Sequence, residues 1–314
     1  MSTVAYISHA DCGTHDTGWG HPDHVGRLRA ISRAFRDDIE LYHALDHREA
    51  RHATADEISL AHEASYVAQV ESLANTGGGR LDADTVVSAG SWLAATAGVG
   101  AVLDAVDAAF GDGPRRSFCA VRPPGHHALR GQAMGFCLFG NVAIGARYVR
   151  AKHGAERVLI VDWDVHHGNG TQALVEDIAD VHFVSMHQWP WYPGTGAASD
   201  RGPHDNVWNV PLPGGLPRQR YVDALVRAVD DATSGFTPDL VLISAGFDSR
   251  KDDPLGQFTL ADEDFAELTS LLLEVADKHA GGRLVSVLEG GYNLKGLASA
   301  ATAHVKTLAS PRRA

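Results

Sequence analysis

The sequence predicts an α/β protein, an open and mostly parallel sheet flanked by helices on both faces. Three observations carry that prediction. Short apolar runs recur along the chain, amphipathic helical patterns lie between them, and polar, glycine-rich or aromatic material follows each run. The runs occupy 117–121 (SFCAV), 157–161 (RVLIV), 181–185 (VHFVS), 240–244 (LVLIS) and 284–288 (LVSVL). Runs this short, rich in Val and Ile and lacking alternation, suit strands buried on both faces of a parallel sheet.

The helices follow in chain order. Residues 91–110 place Trp92, Val99, Val102, Leu103, Val106 and Phe110 on one stripe. A shorter candidate covers 221–229. A third opens with Thr259 and Asp262 as a capping arrangement, runs through Phe265, Leu268, Leu271, Leu272 and Val275, and stops at Gly281 and Gly282. No repeat, low-complexity tract or linker divides the 314 residues, so 1–314 is expected to be one domain with a sizeable core.

Composition narrows the function classes. With 44% hydrophobic and 21% charged residues, wholesale disorder is excluded. Three cysteines (Cys12, Cys119, Cys137) without a CxxC pair exclude a disulfide framework and cysteine-based zinc modules, and they suit a reducing compartment. The N-terminus does not read as a secretory signal, and no uninterrupted apolar run approaches the roughly 18–20 residues of a bilayer span. A cytoplasmic protein with no membrane partner is the expectation. Thirty-nine acidic against 27 basic residues give −12, which argues against nucleic acid and accommodates a cationic partner. Eighteen histidines beside three cysteines mean that nitrogen and oxygen ligands are expected for any metal.

Ligands of open α/β sheets bind outside the carboxyl ends of the strands. There the chain places RPPGHH (122–127), DWDVHHGNGTQ (162–172), MHQWPWYPGTG (186–196), AGFDSRKDDPLG (245–256) and EGGYN (289–293). If 162–166 stays extended, Asp162, Asp164 and His166 share a face at about 6.5–7 Å per pair of residues. One ion can be shared by two such neighbours but hardly by all three, so Asp164 and His166 form the natural ligand pair and Asp162 an outer partner. A solvated Asp/His turn is the plainer alternative for this segment alone. Asp248 is the best-placed third ligand, although a lone Asp at a strand end is more often a cap or turn residue. Two carboxylates and one imidazole leave a coordination position open, as a catalytic zinc requires; Mn²⁺ and Fe²⁺ also suit so oxygen-rich a set.

The stiff turn of Pro123, Pro124 and Gly125 can hold His126 and His127 in place beside such an ion, where paired imidazoles suit general acid–base work. A carboxylate such as Asp162 orienting one ring and Asn169 the other would push the two pKa values apart. Tyr292, on a glycine hinge, offers a hydroxyl to an oxyanion. Phe136, Trp191 and Tyr192 either line an apolar channel toward the ion or belong to the core.

Taken together, RPPGHHA (122–128), GFCLFGNVAIGA (135–146), DWDVHHGNGTQ (162–172), PGTG (193–196), AGFD (245–248) and LEGGYN (288–293) resemble the histone deacetylase superfamily over nearly the whole chain and in the family's order. The DWDVHHGNGTQ form is similar to the class II branch and to related bacterial deacetylases and acetylpolyamine amidohydrolases. The resemblance implies the arginase–deacetylase fold and metal-dependent removal of acyl groups from amines. It further implies Zn²⁺ on Asp164, His166 and Asp248, with His127 as general base and then acid and His126 mainly electrostatic. Asp162 and Asn169 match the partners of the two histidines, and Tyr292 the oxyanion-stabilising tyrosine. Gly135 and Phe136 match a wall of an acyl-lysine tunnel. Asp162 and Ser185, with carbonyls of Asp164, His166 and Met186, match a K⁺ site, and carbonyls of Val175, Ile178 and Val181 a second cation site.

Two departures stand out. Tyr192 replaces a second tunnel phenylalanine, and HPDHVGRL (21–28) lacks the second proline common in this motif; neither is expected to touch the catalytic set. Three alternative readings fit the residues less well. A two-manganese ureohydrolase is disfavoured because SAGFD (244–248) has Gly246 where that family carries an Asp. Acetylpolyamine hydrolysis is disfavoured because Leu255 stands at the position of an acidic gate, which suits the neutral stem of an acylated lysine in a protein or peptide rather than a small acylated amine. A non-catalytic acyl-lysine binder would be expected to have lost a ligand, a histidine or Tyr292. The acyl chain, the physiological target and assembly into a homo-oligomer are left open by the sequence.

Overall fold

A computed structural model describes residues 4–310. Ten strands occur among them: β1 (Val4–Ser8), β2 (Leu45–Glu49), β3 (Gly78–Arg80), β4 (Val86–Ser88), β5 (Arg116–Cys119), β6 (Val158–Asp162), β7 (Val181–Gln188), β8 (Val207–Leu212), β9 (Leu240–Ala245) and β10 (Leu284–Leu288). The helices are α1 (Gly26–Asp37), α2 (Ile39–Ala44), α3 (Ala55–Ile58), α4 (Ala64–Asn75), α5 (Ser91–Phe110), α6 (Asn141–His153), α7 (Asn169–Val175), α8 (Arg218–Thr233), α9 (Asp262–His279) and α10 (Leu294–Leu308). Eight strands form one sheet in the order β2-β1-β5-β10-β9-β6-β7-β8, with every neighbouring pair parallel; β3 and β4 form a separate antiparallel pair.

The pleat sorts each central strand between two cores. Val158 and Ile160 of β6 enter the core under α3–α7, while Leu159 and Val161 enter the one under α1, α2 and α8–α10. Leu240 and Leu242 against Val241 and Ile243 repeat the division in β9. Both faces are apolar, which is why these strands read as continuous runs.

All five anticipated runs are strands, and 284–288 and 91–110 match their elements end to end. The sheet is wholly rather than mostly parallel. Strands β1, β2 and β8 escaped notice. The last two are the sheet's edges, where half-exposed residues interrupt the apolar run. The start of α9 also differs from expectation. Asp264, not Asp262, accepts the Ala261 N–H at 2.7 Å, while Thr259 donates to the Leu216 carbonyl and Asp262 pairs with Arg250. Helix α5 is long and apolar enough to cross a membrane by length and composition, but 78% of its apolar window is buried between the sheet and its neighbours.

Candidate active site

Strand β6 ends at Asp162, and the chain bends through Trp163–Gly168 before α7. The bend, rather than an extended strand, gathers the ligands. Asp164 Oδ1 lies 3.0 Å from His166 Nδ1, which lies 3.3 Å from Asp248 Oδ2 at the end of neighbouring β9. The three donor atoms are within 4.8 Å of one another and buried. Asp162 stands outside this group as expected. Its Oδ2 meets His126 Nδ1 at 2.9 Å and its Oδ1 accepts the Asp164 N–H.

The donor set fits a cation. Asp248 Oδ2 is buried without a hydrogen-bond partner, and burial followed by the Asp164 charge pushes this carboxyl up to about 7. Burial works to lower His166, but its hydrogen bond with Asp164 and the neighbouring Asp248 carboxylate outweigh it and raise the ring to about 9. A proton here does what a metal ion would do. Room is also kept at the site, since a Cβ on Gly290 would overlap Asp248 Oδ2 and one on Gly246 would overlap Asp164 Oδ2.

Beside this cluster the two histidines sit 4.0 Å apart, ring to ring. Burial lowers His126, but Asp164 and Asp162 overcome it and hold the ring well above its ordinary value. His127 is held well below by burial and then by the charges of His126 and His166. Its Nδ1 lies 2.7 Å from Asn169 Oδ1, and the Asn169 amide donates to Met134 Sδ. That amide oxygen can only accept, so His127 carries its proton on Nδ1 and leaves a lone pair on Nε2.

His127, Gly135, Phe136, His166, Trp191, Tyr192, Leu255 and Tyr292 line one cavity of about 270 Å³, so each anticipated wall residue is placed there. Asp84 and Pro254 complete it and were not anticipated. Gly135 has φ +55°, and a Cβ on it would strike the His127 ring, so only glycine lets the chain pass here. Phe136 follows in the same left-handed region, its N–H held by Thr85 Oγ1 at 3.1 Å. Tyr192 is 38% exposed at the mouth, edge-on to His127 at 5.1 Å. Burial, then Asp248, raises the Tyr292 hydroxyl well above its ordinary value, so it remains a donor.

One of the two departures from the motif pattern touches this set, contrary to expectation, and the segment that holds the other reaches it through different residues. Tyr192 packs on His127, and HPDHVGRL supplies Asp23 and Arg27. Asp23 is buried between Arg27 and Arg122, each at 2.8 Å. Arg27 also donates to the carbonyls of Glu289 and Gly291, with its guanidinium 5.0 Å from the Tyr292 ring centre. Glu289 was missed as well. Its Oε2 accepts the N–H of Gly125 at 2.6 Å and of His126 at 3.2 Å, which fixes the histidine turn, and burial raises its carboxyl to about 7. Asp162 and Ser185 are register partners on β6 and β7. The Ile178 and Val181 carbonyls also converge, but on the Asn206 amide at 3.0 and 2.8 Å.

Comparison with known proteins agrees with the geometry. The histone deacetylase domain model matches residues 21–308. A histone deacetylase-like amidohydrolase of Pseudomonas aeruginosa is 38% identical over 87% of this chain and 73% of its own length. A human protein named as a polyamine deacetylase is 39% identical over 82% of this chain, which spans 40% of that protein. The crystal structure of the HDA15 HD domain superposes with a TM-score of 0.91 and 34% identity, covering 98% of this chain and 89% of that one. By domain match, identity and shared fold, the chain belongs to the histone deacetylase family.

Proposed function

We propose that residues 1–314 act as one catalytic domain, a zinc-dependent amidohydrolase that removes acyl groups, above all acetyl, from lysine side chains of proteins or peptides in the cytoplasm. The observation that carries this reading is the cavity lined by His127, His166 and Tyr292, one of which, His166, belongs to the buried Asp164–His166–Asp248 cluster. An ion held by those three residues would activate water and polarise the acyl carbonyl. The free Nε2 of His127 takes the proton from the attacking water and returns it to the leaving amine. His126, charged against Asp162, keeps His127 neutral at the start of that cycle. The Tyr292 O–H donates to the oxyanion that develops on the carbonyl. A K⁺ ion at Asp162 and Ser185 would brace the end of β6. Phe136, Tyr192 and Leu255 supply apolar contacts that suit a neutral acylated lysine stem.

Asp84 on the same wall favours a second reading, hydrolysis of small acetylated amines whose free ammonium would pair with it. A side-by-side turnover assay on enzyme of measured metal content decides between them. Acyl-lysine peptides of several chain lengths are expected to outrun acetylputrescine and acetylspermidine in kcat/KM. The reverse order establishes the second reading, and no hydrolysis of either class by zinc-loaded enzyme returns the chain to the acyl-lysine binders.

A further inference from the structure

A second cluster of metal-ligating side chains lies on the same edge of the sheet, three strand steps from β9. β1 and β2 run in parallel register, with Ser8 opposite Glu49, so they deliver His9 and Glu49 to one place. The chain after β1 turns through a short 3-10 segment (Ala10–Gly13) that brings back Asp11. The chain after β2 is tied down by the Ala50 N–H on the Ser8 carbonyl and the Ala53 N–H on the Thr96 carbonyl, which places His52 over the same point. His9, Asp11 and His52 each offer a ligand atom within 4.8 Å of the others.

The hydrogen bonds fix which nitrogen each ring offers. Thr96 Oγ1 spends its proton on the Trp92 carbonyl at 2.9 Å, so at 2.9 Å from His52 Nδ1 it accepts. His52 therefore carries its proton on Nδ1 and turns Nε2 toward Asp11 Oδ2 at 3.2 Å. A ring lone pair and a carboxylate oxygen at that distance demand a positive charge between them. His9 Nδ1 accepts the Asp11 N–H at 3.0 Å and lies 3.5 Å from the same Oδ2, while its Nε2 faces Glu49 Oε1 at 3.5 Å. His52 Nε2 and Asp11 Oδ2 thus face each other as two acceptors, and His9 Nδ1, held on the Asp11 N–H, lies beside them, so three ligand atoms surround one point. Ligand atoms of a tetrahedral ion with bonds of about 2.1 Å stand about 3.4 Å apart, which the 3.2 and 3.5 Å separations match.

We propose that His9 Nδ1, His52 Nε2 and Asp11 Oδ2 bind a second divalent ion of the zinc class, with Thr96 and Glu49 accepting from the far nitrogens of the two rings. Binding exchanges the Asp11 N–H for the ion at His9 Nδ1 and changes neither tautomer. Orientation of each ligating imidazole by an acceptor on its other nitrogen is what metal sites require. The fourth position faces solvent, since His52 is exposed. Imidazole and carboxylate ligands select Zn²⁺, Co²⁺ or Ni²⁺ over Mg²⁺ and Ca²⁺. The ion would pin the loop after β1 to the loop after β2 and to α5.

The test is equilibrium dialysis of the zinc-loaded enzyme against Co²⁺ or Zn²⁺, with bound metal counted by mass spectrometry. Wild type is expected to saturate at two ions per chain, and His52→Gln and Asp11→Asn at one, with deacylation turnover unchanged. Added Co²⁺ should give tetrahedral visible bands in wild type and not in the variants. Thermal unfolding in metal-free buffer, where all three should coincide, separates lost ligation from lost folding. Saturation of wild type at one ion, or two ions in both variants, overturns the proposal.

Discussion

At the residue scale, two adjacent histidines with the same intrinsic chemistry are driven apart by their partners. The Asp164 and Asp162 carboxylates outweigh burial at His126 and raise it, whereas burial and the charges of His126 and His166 lower His127, whose amide partner Asn169 is too weak to offset them. Asn169→Asp therefore raises His127, and the acid limb of the kcat–pH profile is expected to move to higher pH; an unmoved limb removes His127 from the role of base. Tyr292→Phe is expected to lower kcat by about 10²–10³-fold with metal content and thermal midpoint retained. Wild-type turnover in that variant would exclude its hydroxyl from the reaction. Gly290→Ala drives a methyl into Asp248 Oδ2 and Asp164 Oδ2, two carboxylates that would hold the ion. It should lose bound metal, measured directly, before it loses the fold. Asp164, His166 and Asp248 were legible in the sequence because each stands just beyond an apolar run. Glu289 also stands at a strand end but was passed over, because nothing in its local pattern tells that its partners are 163 and 164 residues away.

At the scale of elements, the site is held by an ionic joint between α1 and the ends of β5 and β10. Burial works to raise the Asp23 carboxyl, but Arg122 and Arg27 outweigh it and hold it well below the ordinary carboxylate range. A depressed carboxylate contributes stability that is complete above its unfolded pKa and is lost as pH falls through the folded one. This joint therefore weakens only under strong acid. Asp23→Asn strands two buried guanidinium groups and should cost about 3–5 kcal/mol in urea unfolding. Because Arg27 holds the Glu289 and Gly291 carbonyls, kcat should fall in the surviving folded fraction as well. Unchanged stability would mean that the joint is dispensable. The joint spans 262 and 264 residues of sequence, so no local pattern announced it. Central strands were readable from their apolar runs, whereas edge strands β2 and β8, with partly exposed and polar residues, were not.

For the whole molecule, two core layers flank one sheet, and an ion held by Asp164, His166 and Asp248 would tie the end of β6 to the end of β9. In the metal-free chain Asp248 is raised to about 7, so the folded form holds a proton there that the unfolded form releases at lower pH. Stability of the metal-free protein should consequently fall as pH rises from about 4 toward 7. Metal binding displaces that proton and strengthens over the same range. The rise in thermal midpoint on adding zinc to chelated enzyme is expected to be larger at pH 8 than at pH 5.5. An equal rise at both would mean that Asp248 does not titrate as a ligand.

Strand–helix alternation, buried parallel strands and the residues just past their ends were determined by sequence alone, because each depends on neighbours within a few positions. Strand order, the Asp23–Arg27–Arg122 joint, the Glu289 brace and the meeting of His9 with His52 were decided only by the tertiary structure. Those contacts depend on which distant strands lie side by side, and a parallel sheet orders its strands independently of their order along the chain.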